Sequence, residues 1–215
     1  MQSITVGGNT YNLVAMPATP GPAEIEIAMN DAVAVVTSPF TRQEQTQTFP
    51  GGDFWDAMIT LPPLSQAKAW PWEGFLAELR GRLNVFQCGD PRAAAPQGSG
   101  LGAPVVAQYG DIFNVRMTWV LATSGWAPAQ SGLLLPADYF QIGYRLHRVC
   151  EPVISDAYGN ATLTIWPSLR ETPENGTPLN LNFPQGLFRL ASNRRAIHSS
   201  KQRLTTISMS FVEAK

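Results

Sequence analysis

The chain has 215 residues, a formal net charge of -1 and only 14% charged residues, so it lacks the broad positive field that holds nucleic-acid phosphates or an anionic membrane surface. Its 18 glycines and 18 prolines, about 17% of the chain against roughly 12% in average usage, favour short strands joined by many turns over long helices. Met1 to Val6 lack the basic start and apolar core of a secretion signal, and no apolar run approaches the ~20 residues of a spanning helix. The expectation is a protein made and folded in a cytoplasm, with no membrane insertion.

Two cysteines, Cys88 and Cys150, stand far apart without a CxxC pattern and read as buried reduced thiols rather than a disulfide or metal pair. The sequons at Asn160 and Asn175 then read as turn chemistry.

Ser3 to Val6 and Thr10 to Val14 flank Gly7-Gly8-Asn9 and predict an opening hairpin. After the proline-rich connector 17–22, Ile25, Ile27 and Met29 alternate in a strand, and Asn30-Asp31 predicts a second hairpin onto Val33 to Val36. Residues 41–49 are polar and β-compatible and read as an edge strand or exposed arm. Asp53 to Leu61 alternates Trp55, Ala57, Ile59 and Leu61 against polar neighbours, a strand stopped by Pro62-Pro63.

One helix follows, in which Trp72, Phe75 or Leu76, Leu79 and Leu83 recur at helical spacing. Pro71 is expected in its first turn or at a kink, with Ser65 as an alternative cap. Asn84 to Cys88 is a further strand, and residues 93–104, rich in Ala, Gly and Pro, form the best boundary in the chain.

Beyond that boundary, strands are predicted at 115–121, 139–142, 145–154, 161–166, 179–183 and 187–190, the texture of a small barrel or sandwich. Arg203 to Glu213 is a closing strand with Thr205, Ile207, Met209 and Phe211 on one face, matching the pattern of 55–61. It is expected to return to the N-terminal sheet. The fold class is therefore mainly β: a β-sandwich core of residues 1–104 plus 191–215 with one packed α-helix, and an inserted small β-barrel of residues 105–190.

Little in the sequence points to catalysis. His147 and His198 are the only histidines, neither adjoins a nucleophile motif, and they read as a strand-surface or interface residue and a solvated one. Gly98 to Gly102 lacks the strand, helix and lysine of a phosphate loop and reads as a flexible linker. Asp53, Asp56, Asp90, Asp111 and Asp138 have no calcium-loop spacing and suit turns and caps. No catalytic, cofactor or metal residue is assigned.

Arg194, Arg195, His198, Lys201 and Arg203 form the only basic cluster, a solvated loop or one facing an anion or partner. Of the six tryptophans, Trp70, Trp72, Trp119, Trp126 and Trp166 invite comparison with sugar-stacking platforms. Trp72 and Trp119 read as core, the latter sharing a face with Met117 and Leu121. Trp126 in its Ser124-Gly125 loop is the candidate for exposure.

Several stretches together resemble the distal tail proteins of long-tailed bacteriophages. Ile59-Thr-Leu-Pro-Pro-Leu64, Trp72-Glu-Gly-Phe-Leu-Ala-Glu-Leu-Arg-Gly81 and Phe86-Gln-Cys-Gly-Asp-Pro91 look like that family's strand, helix and strand core. Asp138 to Gly143, Gly159 to Pro167 and Gly186 to Ala191 resemble its inserted β-domain, and Ile207 to Glu213 its returning strand. The resemblance implies a non-enzymatic virion component, assembled in the host cytoplasm as a six-subunit ring. That ring would join the tail-tube protein to a hub or fibre protein, with DNA passing through without tight binding. Two rivals are a carbohydrate-binding module displaying Trp126, Tyr139 or Tyr158, and a different connector or tube protein of the same virus.

Overall fold

The computed structural model describes residues 2–108, 112–200 and 204–215. The opening hairpin forms as expected: β1 (Gln2–Val6) pairs antiparallel with β2 (Asn9–Leu13). Gly7 and Gly8 both take positive φ at its turn, the backbone shape a two-residue hairpin needs.

β3 (Glu24–Asn30) does not fold back on β4 (Val33–Thr37), which corrects the second predicted hairpin. β4 instead pairs with β5 (Glu44–Thr48), making a two-stranded ribbon whose every strand residue is exposed. β3 pairs with β6 (Phe54–Thr60) in a register that sets Ile25 opposite Ile59, Ile27 opposite Ala57 and Met29 opposite Trp55. The core-facing set of β6 selects β3, whereas both faces of β4 lie in solvent and impose no such match.

The two-residue β7 (Leu64–Ser65) leads into α1 (Gln66–Leu79), whose Ala69, Trp72, Phe75, Leu76 and Leu79 are buried. Ser65 is the N-cap by backbone conformation, without a side-chain cap bond. Pro71 lies in the second turn rather than the first. The helix stops at Arg80 and Gly81, both in positive φ, so Leu83 falls outside it and is 62% exposed.

β8 (Phe86–Cys88) follows, and then the insertion: β9 (Gly102–Val106), β10 (Val120–Trp126), β11 (Tyr139–Ile142), β12 (Arg145–Val149), β13 (Ala161–Trp166) and β14 (Leu179–Asn180). These make one six-stranded sheet in the order β14-β11-β12-β13-β10-β9. It curls until its edges meet at a bridge between Val105 and Pro178, supported by Val106 N–H donating to Thr177 (2.8 Å) and Gly176 N–H donating to Val106 (2.7 Å). The nearly closed barrel surrounds Leu121, Trp126, Leu133, Phe140, Leu163 and Ile165. Residues 115–119 are turn and coil rather than strand, and the predicted 145–154 strand ends at Val149.

β15 (Gly186–Leu190) leaves the barrel and joins the core, which moves the end of the insertion ahead of the predicted 190. β16 (His198–Ser199), β17 (Leu204–Thr206) and β7 form a small three-stranded sheet. β18 (Ser208–Glu213) is the closing strand. It lies between β6 and β15 in the five-stranded order β3-β6-β18-β15-β8, so the chain's last strand does complete the sheet begun before the insertion.

α1 covers one face of this sheet, over Ile59, Phe188, Leu190, Met209 and Phe211. The β1–β2 hairpin covers part of the other, through Ile4, Val6, Leu187 and Ala214. Phe211 holds the main core together, with its ring centroid 5.2 Å from Phe86 and 5.1 Å from Phe188 in edge-on contacts, and Phe86 in turn meets Phe75 of the helix at 5.3 Å. Phe211→Ala is expected to cost about 3–5 kcal/mol by opening a cavity between the Phe86 and Phe188 rings, measured as a lowered midpoint in urea unfolding.

Candidate functional site

Two features stand out: a polar junction between barrel and core, and the projecting β4–β5 arm. The junction is built around Glu213, which alternates in phase with Met209 and Phe211 on β18 and is therefore carried into the interior. Its carboxylate accepts from Arg170 (2.7 Å) and from the Trp55 backbone N–H (3.2 Å) and lies 3.6 Å from Arg145. Arg145 also pairs with Glu171 at 2.5 Å and donates to the Ala214 carbonyl, while Arg170 donates to the Asp53 carbonyl. Burial raises the pKa of Glu213 and lowers that of Arg170, and each draws the other part of the way back.

Three tryptophans belong to the same junction. Trp55 of the core donates to the Leu146 carbonyl (2.9 Å) and meets Trp166 edge-on at 4.4 Å. Trp166 donates to Asp31 (2.6 Å), and Trp119 donates to Asp53 (3.2 Å), which also accepts from Ser168 (3.0 Å). Gly7 fixes the N-terminal hairpin against the same place, since a Cβ there would come within 2.8 Å of Glu171 Oε1. Core residues before the insertion, the insertion itself and the closing strand thus share one polar junction, with the N-terminal hairpin packed against it.

The arm is a different surface. Val33, Val35 and Val36 are exposed along it, and Phe40 at its turn is 93% exposed. A two-stranded ribbon is marginal on its own. The neighbouring edge strand β3 is under-covered too, because Met29 is 52% exposed although it lies in register with buried Trp55. Residues 41–49, expected as an edge strand or arm, do lie on this arm, but their inner edge is already paired with β4.

The residues singled out from sequence disperse. His147, expected at a surface or interface, is buried, stacked on Phe140 at 5.5 Å, with Nδ1 3.0 Å from the Pro167 carbonyl. A carbonyl can only accept, so Nδ1 carries the proton, and burial pushes the pKa from 6.5 to about 4. His198 is exposed in β16. Gly98 to Gly102 is not a free linker: Asp138 accepts from Gln97 (2.7 Å), Gly98 (3.1 Å) and Leu135 (2.8 Å), and Gly102 begins β9.

Asp90 pairs with Arg92 at 2.7 Å, Asp56 is half-buried on β6, and Asp111 lies outside the described residues. Among the described residues no three His, Cys, Asp or Glu side chains gather as a metal site would require. Arg194 and Arg195 lie on an exposed segment, and Lys201 and Arg203 lie outside the described residues.

The stacking platforms are mostly withdrawn from solvent. Trp126 is 3% exposed inside the barrel, donating to Thr123, and Tyr139 is 8% exposed. Trp72 is in the core as expected, and Trp70 and Tyr158 (88%) are exposed. Trp119 is half-buried at the junction, while Met117, expected to share its core face, is exposed. Cys88 is a buried thiol pushed up to about 11, whereas Cys150 is exposed, against the expectation of burial. Asn175 sits in a turn, and Asn160 closes the loop before β13, donating its backbone N–H to Asp156.

The junction was missed in the sequence, although a signal was present: Glu213 continues the apolar phase of β18, and a carboxylate in that phase requires a cation. Comparison of the sequence with protein-family models and with curated proteins finds no match.

Two outcomes follow from the buried charges. Arg170→Met, which removes the nearer of the two cations facing the buried Glu213 carboxylate, is expected to destabilise the fold by about 3 kcal/mol in denaturant titration. His147 stays neutral in the fold but protonates near 6.5 when unfolded, so its contribution is complete above that pH and is lost as pH falls toward about 4, roughly 3 kcal/mol in all. In His147→Asn, which keeps a donor for Pro167, the difference between unfolding free energies at pH 7.5 and 4.5 should be about 2.5 kcal/mol smaller than in the parent protein.

Proposed function

We propose that this chain is a structural subunit of a bacteriophage tail that acts by binding rather than turnover, assembling with copies of itself into a ring between the tail tube and the tip or baseplate hub. The observation that carries the reading is the β4–β5 arm, which leaves three valines and a phenylalanine exposed, with none of the described residues covering them. Exposed apolar side chains on a projecting element are expected where another molecule completes the packing.

The arm still has unpaired outer strand edges, so it can add to a neighbour's sheet through backbone hydrogen bonds while its valines pack on the neighbour's surface. A contact of this kind joins unlike patches, and such heterologous contacts close into rings when the rotation between copies allows it. The barrel, bound to the core through the Glu213 junction, would be carried as a fixed outward module. The six-subunit stoichiometry, the tail-tube partner and the hub or fibre partner come from the resemblance to distal tail proteins. The burial of Trp126 and Tyr139 leaves the sugar-binding alternative with Tyr158 alone among its named platforms.

The test replaces residues 34–47 with a short Gly-Ser link and follows mass by light scattering over a range of concentrations. The parent chain is expected to form an oligomer of defined mass and the armless chain to remain a folded monomer. An armless chain that assembles like the parent rejects this reading.

A further inference from the structure

Charge is distributed unevenly around the core. From β3 through β6, residues 23–60 hold six carboxylates (Glu24, Glu26, Asp31, Glu44, Asp53 and Asp56) and one cation, Arg42. From residue 175 to 212 there is no carboxylate at all, while Arg189, Arg194, Arg195, Lys201 and Arg203 fall in that span.

The fold keeps these sets apart. Glu24 and Glu26 are exposed on the edge strand β3, and Glu44 is exposed on the arm that rises from the end of that strand. Arg80 and Arg82 are exposed just past the C-terminal end of α1. They meet the exposed segment after β15, where Asn193 accepts from the Arg82 backbone N–H at 3.1 Å and Arg194 follows. β6 and β18 separate the acidic edge from β15. Among the described residues, Glu24, Glu26, Glu44, Arg80, Arg82 and Arg194 have no ion-pair partner.

The basic corner also has a recess. A cleft of about 380 Å³ opens where β15 ends short of Ser208 and Ser210, with Leu76, Leu190 and Met209 as its apolar lining and Arg194 and Arg195 at its rim. One Arg195 Nη is already committed to the Leu76 carbonyl at 2.5 Å, so among the described residues of this corner Arg194, Arg80 and Arg82 are the cations free to face a partner.

We infer that the basic corner formed by Arg80, Arg82 and Arg194 is the landing surface for the acidic side, Glu24, Glu26 and Glu44, of a second copy of this chain. The inference rests on the self-assembly reading and assigns it two unlike, complementary faces. Opposite potentials steer the faces together and penalise the mismatched contacts, acid on acid or base on base. Free guanidinium groups suit this role because their planar fork can meet a carboxylate with two hydrogen bonds.

The experiment is a charge swap in the full chain, read by sedimentation velocity, with circular dichroism to verify the fold. Glu24→Lys, Glu26→Lys and Glu44→Lys together, or Arg80→Glu, Arg82→Glu and Arg194→Glu together, should each raise the concentration for half-assembly at least about tenfold. Combining all six in one chain should restore assembly. Raising salt from about 0.1 M to about 1 M, which shortens the screening length from roughly 10 Å to roughly 3 Å, should weaken the parent assembly. If both triple variants assemble like the parent, or if the folded sixfold variant fails to recover, the charged contact is wrong while the arm-built ring survives. A parent chain that is monomeric at every concentration overturns the ring reading, and this inference with it.

Discussion

A carboxylate cannot be taken into a protein interior alone, and the architecture turns on how Glu213 is answered. The closing strand β18 must enter the sheet with Met209 and Phe211 facing the core, and the same alternation brings Glu213 inside. Its countercharges, Arg145 and Arg170, come from the barrel and from the segment that follows β13, not from the sheet that β18 completes. Desolvating such groups costs several kcal/mol per ion, recovered only when geometry and hydrogen bonds are good. The core therefore reaches its native charge state only with the barrel docked, which makes the barrel a fixed part of the molecule rather than a module on a tether.

The tryptophan contacts fit this view. Trp55 is buried on the core face of β6, yet its indole N–H is satisfied by Leu146 of the barrel, and Trp166 and Trp119 of the insertion are satisfied by Asp31 and Asp53 of the core. Each ring gives apolar area to the junction and one donor that has to be met across it. Segments on both sides of the insertion are specified by the same few groups, so loss of one group is felt on both sides.

The parts of this fold that were legible in the sequence are those where one face is buried. Period-two alternation identified β6 and β18 and their common sheet, and helical spacing identified α1, because burial on one side writes a pattern into the residues. Where burial was absent or two-sided, the pattern misled. Val33 to Val36 has strand-forming residues but no buried face, so nothing in it revealed that its partner is β5 rather than β3. Trp126 looked like a loop residue because Ser124 and Gly125 precede it, yet β10 continues through them with an irregular register against β9. The junction was illegible for another reason: Arg145, Arg170 and Glu213 come together only in three dimensions, and no spacing along the chain encodes their meeting.

The edge strand β3 bears on what kind of contact the exposed surface can make. An open strand edge is a template for pairing with another copy, and the simplest such pairing sets two β3 edges side by side about a twofold axis. Glu24 and Glu26 penalise those registers of the pairing in which the acidic halves of the two strands overlap, because like charges directly opposed across strands are destabilising, whereas full overlap sets Glu24 opposite Asn30 and Glu26 opposite Ala28. The arm's valines and Phe40 still need cover. A surface whose acidic end repels its own image while its arm retains apolar residues to bury is satisfied by an unlike surface, and a chain of unlike contacts continues from copy to copy until geometry closes it. Within the proposed function, charge on the edge strand therefore narrows the registers of self-pairing, and it is the uncovered arm that favours the unlike contact of a ring.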